Sequence, residues 1–351
     1  NVSKFTAVTL YSFIDMIALG SRLRPFVIIT HRDLDGIAGA SLYIYCKNLS
    51  EDMYRVIFIE PNKILDVFRK YYKKNRKYVV IDIGLSNTIY QDLKLIDLTE
   101  VHIEWYDHHV WEDEWIETLK TKSVDIHIDR SVCATGVVAK NVCRNCMNSS
   151  SINDFVESVC GADLWKFNRY ESAFLFRYAD AKNTNEWRYN VLKTFTNYLR
   201  NRDHDLLSIV KEEVVKYVDE ELQVLSNLDK EVIKFVMDGV TLCIYMKKGH
   251  IPSSSIIGNI LLSRCDIAAI INESLKSISF RSSRCNVREL AKILNGGGHI
   301  KAAGAPLEVS TIYKVLKNIG IGDSIVRGNI VNNLLNKIAK NIDWRKLCVS
   351  N

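Results

Sequence analysis

Four short runs rich in Val and Ile, PFVIIT (25–30), YRVIFI (54–59), YVVIDI (78–83) and VHIEWY (101–106), are separated by stretches of helical periodicity. Runs this short and this apolar have little polar face to offer water, so they suit strands covered on both sides. Strands that alternate with helices pair in parallel. The expectation is an α/β fold: a parallel sheet with flanking helices. Residues 1–24 read as a further helix, with apolar residues at mostly helical spacing. Residues 151–238 show no convincing strand and read as successive helices, of which the charged stretch from Lys211 to Lys234 faces solvent.

After Gly239 the pattern changes. TLCIYM (241–246), DIAAIIN (266–272) and KSISFRS (276–282) read as strands, with helices over 253–263 and 287–294. This predicts a second, smaller α/β unit, followed by the glycine-rich GGGHIKAAGAP (296–306) and a helical tail from Thr311. A length of 351 residues agrees with two domains. The expected division is 1–185 for the first, 186–238 for a helical connector and 239–351 for the second. With 47% hydrophobic and 25% charged residues the chain is globular in composition. No apolar run reaches the ~18 residues that a membrane helix needs, and the first residues lack a signal-peptide pattern. A cytoplasmic protein with no membrane partner is expected.

Nine cysteines are scattered, mostly inside apolar runs, which suggests reduced, buried thiols rather than a disulfide framework. Cys143 and Cys146 form one C-x-x-C, and a structural zinc site would want a second such pair. Charge is uneven: from Arg281 to Asn351 there are twelve Lys/Arg against four Asp/Glu, whereas the chain as a whole is only +6. A basic rear and a mildly acidic front suit a protein that holds anions in one part and cations in the other.

Three of the strand ends finish in residues that ligate metals. PFVIIT runs into His31, Asp33 and Asp35; Asp82 lies near the end of YVVIDI; VHIEWY runs into Asp107, His108 and His109. In an open parallel sheet, ligands gather outside the carboxyl ends of the strands. On extended backbone, residues two apart point the same way, so Asp33 and Asp35 are expected to face one site. Carboxylates this dense resist ionising together unless a cation sits among them. Oxygen and imidazole donors without thiolate suit Mn²⁺, Mg²⁺ or Fe²⁺. Ligands for two cations about 3.5–4 Å apart would clamp a transferring phosphoryl group. Gly296, Gly297 and Gly298 permit close backbone approach to an anion, with His299 and Lys301 adding donors. Arg281 and Arg284, at a strand end, can grip phosphate. Trp111, Trp115 and Trp165 lie near these motifs and can stack on a base.

In order and spacing these residues resemble the DHH phosphoesterase superfamily, in the branch carrying the DHHA1 domain. The resemblance spans about residues 25–310. It rests on H-x-D-x-D-G (His31 to Gly36), Asp82, the triplet Asp107-His108-His109, a later helical aspartate (Asp163 in GADLWKF) and G-G-G-H-x-x-A-A-G (Gly296 to Gly304). It implies a DHH catalytic domain followed by a smaller DHHA1 domain that holds the substrate.

It also implies two Mn²⁺ ions, with Mg²⁺ or Co²⁺ as alternatives. One would take His31, Asp33 and Asp82; the other would take Asp35, Asp82, His108 and Asp163. Asp107 would orient a histidine, and His109 would contact the scissile phosphate or protonate the leaving oxygen. Arg281, Gly297, Gly298 and His299 would bind the substrate's phosphate or terminal nucleotide. Many relatives carry Asp-Thr-Gly where this chain has Asp163-Leu164-Trp165, a departure that bears on substrate shape.

Within the superfamily the length suits a minimal phosphodiesterase acting on short single-stranded RNA or DNA or on linear dinucleotides, with a homodimer left open. A RecJ-like single-strand exonuclease, or a catalytically idle binding subunit of a replication or repair complex, are the alternatives.

Overall fold

The computed structural model describes residues 24–71, 76–98, 100–144, 149–201, 205–313, 323–339 and 341–348. The helix expected over 1–24 and Cys146 lie outside them. The chain divides after Val214 into two compact units. The segment 186–238 is therefore split between the units rather than standing as a separate connector. Its first helix, Asn185–Asn201, packs on helix Leu34–Cys46 of the first unit. Among the described residues no helix is long and apolar enough to cross a membrane.

The first unit carries a five-stranded parallel sheet in the order β2-β1-β3-β4-β5, with β1 Phe26–Thr30, β2 Tyr54–Phe58, β3 Lys77–Ile81, β4 His102–Asp107 and β5 Val124–Ile128. Alternate residues point to opposite faces. Val27, Ile29, Tyr78, Val80, Ile103 and Trp105 enter one core cluster, while Ile28 and Val79 are fully buried outside it. Helix Leu34–Cys46 is buried without a break from Leu34 to Ile44. It packs against helices Ala134–Val142 and Asn185–Asn201, which is why its sequence is apolar all round. Because the chain leaves β1 first to one side and then to the other, the ends of β1 and β3 form a topological switch point.

The second unit is a six-stranded mixed sheet in the order β10-β11-β9-β8-β7-β6. Its strands are β6 Ile233–Met237, β7 Val240–Met246, β8 Ile267–Ile271, β9 Ser277–Ser282, β10 Gly297–Gly298 and β11 Ala302–Pro306. In β7, Leu242, Ile244 and Met246 face one core with Ile330, Leu334 and Trp344. Cys243 and Tyr245 face another with Ile257 and Leu261.

Three expectations are corrected. Residues 151–238 do contain a strand, β6, an edge strand whose residues alternate between half-buried and exposed. Its signal was the turn: Met237 pairs with Val240 across Asp238-Gly239, both left-handed, as a two-residue hairpin turn requires. Strand β5 was likewise too weakly apolar to read, being an edge strand with one buried residue. The third correction concerns the thiols. Eight of the nine cysteines are paired as Cys46–Cys143, Cys133–Cys160, Cys243–Cys265 and Cys285–Cys348, with Cα separations of 4.0–5.9 Å. Cysteines up to 97 residues apart meet only because packed elements bring them within bonding range.

Peptide mapping under non-reducing conditions should recover these four pairs, and reduction should lower stability by about 2–4 kcal/mol for each bond broken. Eight free thiols in the native protein would contradict the pairing.

Candidate metal centre

Each donor reaches the carboxyl edge of the parallel sheet by a different local device. His31 follows β1 directly. Asp33 does not continue an extended strand: it caps helix Leu34–Cys46, accepting the Gly36 N–H at 3.1 Å. Asp35 then falls in the first helical turn. The two aspartates therefore do not share one site by strand alternation, as expected from sequence. The cap turns the chain, and each carboxylate joins a separate group.

Asp33 Oδ2 lies 2.8 Å from His31 Nδ1. Asp35 is buried and accepts the Ala134 and Thr135 N–H groups at 2.7 and 2.8 Å. Those are the first residues of helix Ala134–Val142, whose dipole favours negative charge there.

Asp82 follows β3 in a left-handed conformation, φ 57°, which aspartate tolerates better than most residues. Its two oxygens serve different histidines. Oδ2 is 3.4 Å from His31 Nδ1, and Oδ1 is 3.5 Å from His108 Nε2. His108 Nε2 also lies 3.6 Å from Asp163 Oδ2, at the end of helix Ser150–Asp163, and 3.9 Å from Asp35 Oδ2.

Asp107, fully buried at the end of β4, holds His109 Nδ1 at 2.8 Å and accepts the Trp111 indole N–H at 2.7 Å. Gly84 makes room for that imidazole, since a Cβ there would stand 2.8 Å from His109 Cγ.

The donor atoms form three overlapping groups, each with its atoms within 4.8 Å of one another: His31, Asp33 and Asp82; Asp35, His108 and Asp163; and Asp82, His108 and His109. All six residues expected as metal ligands are thus brought together.

The electrostatics show strain that a cation would relieve. Burial, with the Asp82 charge beside it, pushes the Asp35 carboxyl up to about 7. Burial and the Asp35 and Asp82 charges also hold Asp163 well above the carboxylate range. Against burial, Asp82, Asp35 and Asp163 raise His108 to about 10, and Asp107 raises His109 to about 9. His31 is likewise held well above its ordinary value, against burial, chiefly by Asp33. Protons thus occupy positions where positive charge is needed. The oxygen and imidazole donors fit a hard divalent cation, so these residues can hold metal.

Sequence reasoning missed Glu60. It lies 3.4 Å from His31 Nε2 and 3.7 Å from Arg32. Its signal was available, because it too follows an apolar strand at the same edge. Arg188 was also missed: buried in helix Asn185–Asn201, it donates to the Arg32 carbonyl at 3.2 Å and steadies the segment between His31 and Asp33.

In the second unit, Arg281 stands on β9 opposite Ala302 of β11, so it neighbours the turn end of the β10–β11 hairpin that carries Gly297, Gly298 and His299. Gly297, Gly298 and His299 are exposed, and Gly298 has φ 131°. The glycine-rich stretch is thus a hairpin. The Arg281 guanidinium donates to Ser255 Oγ at 2.9 Å and to the Phe280 carbonyl at 3.0 Å, both neutral acceptors. Arg284, by contrast, is engaged by Asp266 at 2.7 Å.

Cation binding needs an ionised Asp35 and a neutral His108, whereas burial and the Asp82 charge push Asp35, and against burial the neighbouring carboxylates push His108, towards the protonated form. Binding of Mn²⁺ should therefore release protons, and apparent affinity should rise with pH from about 7 towards about 10. Calorimetry in buffers of different ionisation enthalpy checks this, and zero proton release would contradict it. Asp82→Asn, which keeps the left-handed backbone accessible, should weaken binding at least about 100-fold.

No protein-family model matches the chain, and no curated protein matches it in sequence. Solved structures do match. The DHH domain of a protein described as a member of a family of ribosomal proteins is 14% identical, with 94% of this chain and 88% of that one covered and a TM-score of 0.60. The pGpG-specific phosphodiesterase PggH from Vibrio cholerae is 18% identical, covering 84% and 97%, with a TM-score of 0.52. RecJ from Thermus thermophilus in complex with Mn²⁺ is 13% identical, covering 93% and 54%, with a TM-score of 0.53. From its parallel sheet to its mixed second sheet, this chain has the α/β fold of these DHH-domain, phosphodiesterase and RecJ structures.

Proposed function

We propose that the chain is a DHH/DHHA1-type, divalent-cation-dependent phosphodiesterase that cuts short single-stranded oligonucleotides or linear dinucleotides to nucleoside monophosphates. The observation that carries this reading is Asp82, whose two oxygens face two separate imidazoles between two further donor groups. One carboxylate so placed can bridge a pair of cations. The fold shared with a pGpG-specific phosphodiesterase and with RecJ supports the same chemistry.

His31, Asp33 and Asp82 would hold one Mn²⁺, and Asp35, Asp82, His108 and Asp163 the other. Bound there, a cation pair neutralises charge on the phosphate and makes an attacking water more acidic. The chain's own residues do the rest. The helix N-terminus at Ala134 and Thr135 keeps Asp35 aimed into the site. Asp107 fixes the His109 ring through Nδ1, and Nε2 would give a proton to the departing sugar oxygen. Arg281 and the exposed hairpin at Gly297, Gly298 and His299 are the second unit's contribution, gripping the substrate's phosphate or terminal nucleotide.

A RecJ-like single-strand exonuclease is the second reading, favoured by the match of 93% of this chain to Mn²⁺-bound RecJ. Digestion of 5′-labelled RNA and DNA ladders from two to twenty nucleotides, with Mn²⁺, separates the two. The phosphodiesterase should cut dinucleotides faster than 20-mers, and the exonuclease should do the reverse. No hydrolysis of any phosphodiester would refute both.

His108→Ala should lower kcat about 100- to 1,000-fold, whereas Arg281→Ala should mainly raise KM. Gly84→Ala, which forces the His109 ring aside, should lower kcat while the protein still binds its cations. An unchanged kcat would deny His109 its role.

A further inference from the structure

The loop after Asp163 is built more tightly than holding one carboxylate requires. Lys166 and Phe167 both donate their N–H groups to the Gly161 carbonyl, at 2.8 and 2.9 Å. A Cβ on Gly161 would stand 2.5 Å from Asn168 Oδ1 and 2.7 Å from Ser172 Oγ, so the absence of a side chain there lets both groups close on the turn. Trp165 and Phe167 both adopt left-handed backbone, φ 56° and 44°. Bulky side chains avoid that region, and they persist in it only where the surroundings enforce it, often beside a ligand.

The outcome is a large ring that is 36% exposed, two residues from Asp163 and so within about 7 Å of it along the backbone. Two other rings brace it nearly at right angles: Phe167 at 4.8 Å and 84°, and Phe176 at 6.0 Å and 89°. The other tryptophans near the motifs are committed elsewhere. Trp111 is 2% exposed and donates to Asp107. Trp115 stacks on Tyr90 at 5.4 Å. Trp115 is half-buried, and Trp165 is the most exposed of the three.

We infer that Trp165, braced by Phe167 and Phe176, is the nucleobase platform of the metal centre, stacking the base next to the cleaved phosphate. This rests on the phosphodiesterase reading above and narrows its substrate class. A phosphate gripped beside Asp163 carries its sugar and base outward by a distance of the same order as the spacing to Trp165. Stacking tolerates every base, because each has a π face. The chain is therefore selective for phosphoesters that carry a base, whichever base it is, over pyrophosphate or polyphosphate.

The test compares wild type with Trp165→Ala, Trp165→Leu and Trp165→Phe. Two substrates are used with Mn²⁺: an intact dinucleotide, and one abasic at the nucleotide bearing the cleaved phosphate. Calorimetric binding of AMP and of ribose 5-phosphate to the Mn²⁺-loaded protein gives a readout independent of turnover. Trp165→Ala and Trp165→Leu should lose about 5- to 150-fold in kcat/KM on the intact dinucleotide and in AMP affinity. Both should stay within about twofold of wild type on the abasic substrate and on ribose 5-phosphate, and Trp165→Phe should recover most of the loss. Equal effects on intact and abasic ligands, or no effect on either, would overturn the platform. A wild type that cleaves no phosphodiester, yet binds AMP through Trp165, would instead overturn the hydrolytic reading and leave the platform standing.

Discussion

Four carboxylates gathered against two imidazoles at one sheet edge govern the rest of the first unit. Asp35 and Asp82 are almost fully buried, and like charges this close cannot all ionise without a compensating positive charge. Burial and their mutual repulsion push Asp35 and Asp163 above the carboxylate range, and against burial the same carboxylates raise His31 and His108. The site is thus arranged for cations before any arrives. Its stability and its affinity are two faces of one electrostatic imbalance.

Such an arrangement survives only if its supports are rigid. The Trp105 indole donates to the Ile83 carbonyl at 2.9 Å, clamping the turn that carries Asp82. It packs edge-on against Trp111, 5.2 Å away, and Trp111 in turn holds Asp107. Two disulfides tie together the helices behind the second donor group. Cys46–Cys143 joins the end of helix Leu34–Cys46 to the residue that closes helix Ala134–Val142, and Cys133–Cys160 joins the cap of that helix to helix Ser150–Asp163. Those helices carry Asp35, its N–H clamp and Asp163, so covalent bonds lock the frame where charge repulsion would open it. Paired thiols of this kind belong to oxidising surroundings or to proteins from extreme heat.

The second unit solves a different problem. A guanidinium that is to meet an anion needs to be without carboxylates attached. Among the described residues the Arg281 guanidinium donates to two neutral acceptors, Ser255 Oγ and the Phe280 carbonyl, whereas Arg284 is already engaged by Asp266. The two arginines look alike in sequence and differ only in what β8 and helix Ser254–Leu261 place beside them.

Local pattern alone sufficed for much of this. The four apolar runs became β1 to β4 within a residue or two, since buried strands declare themselves by composition over a few residues. The donors at the strand ends were legible because a parallel sheet delivers every carboxyl end to one edge. Weakly apolar edge strands, β5 and β6, were not legible, since half their residues face water. By itself, the amino-acid order determined which chemistry gathers at the edge of the parallel sheet: imidazoles and carboxylates. Only the tertiary structure decided that a helix cap sends Asp33 and Asp35 to different groups and that Asp82 divides its oxygens between two histidines. It alone decided that eight cysteines pair and that Trp165 stands open while Trp111 is buried. Those outcomes are distances between residues far apart in the chain, and packing sets such distances where local preference cannot.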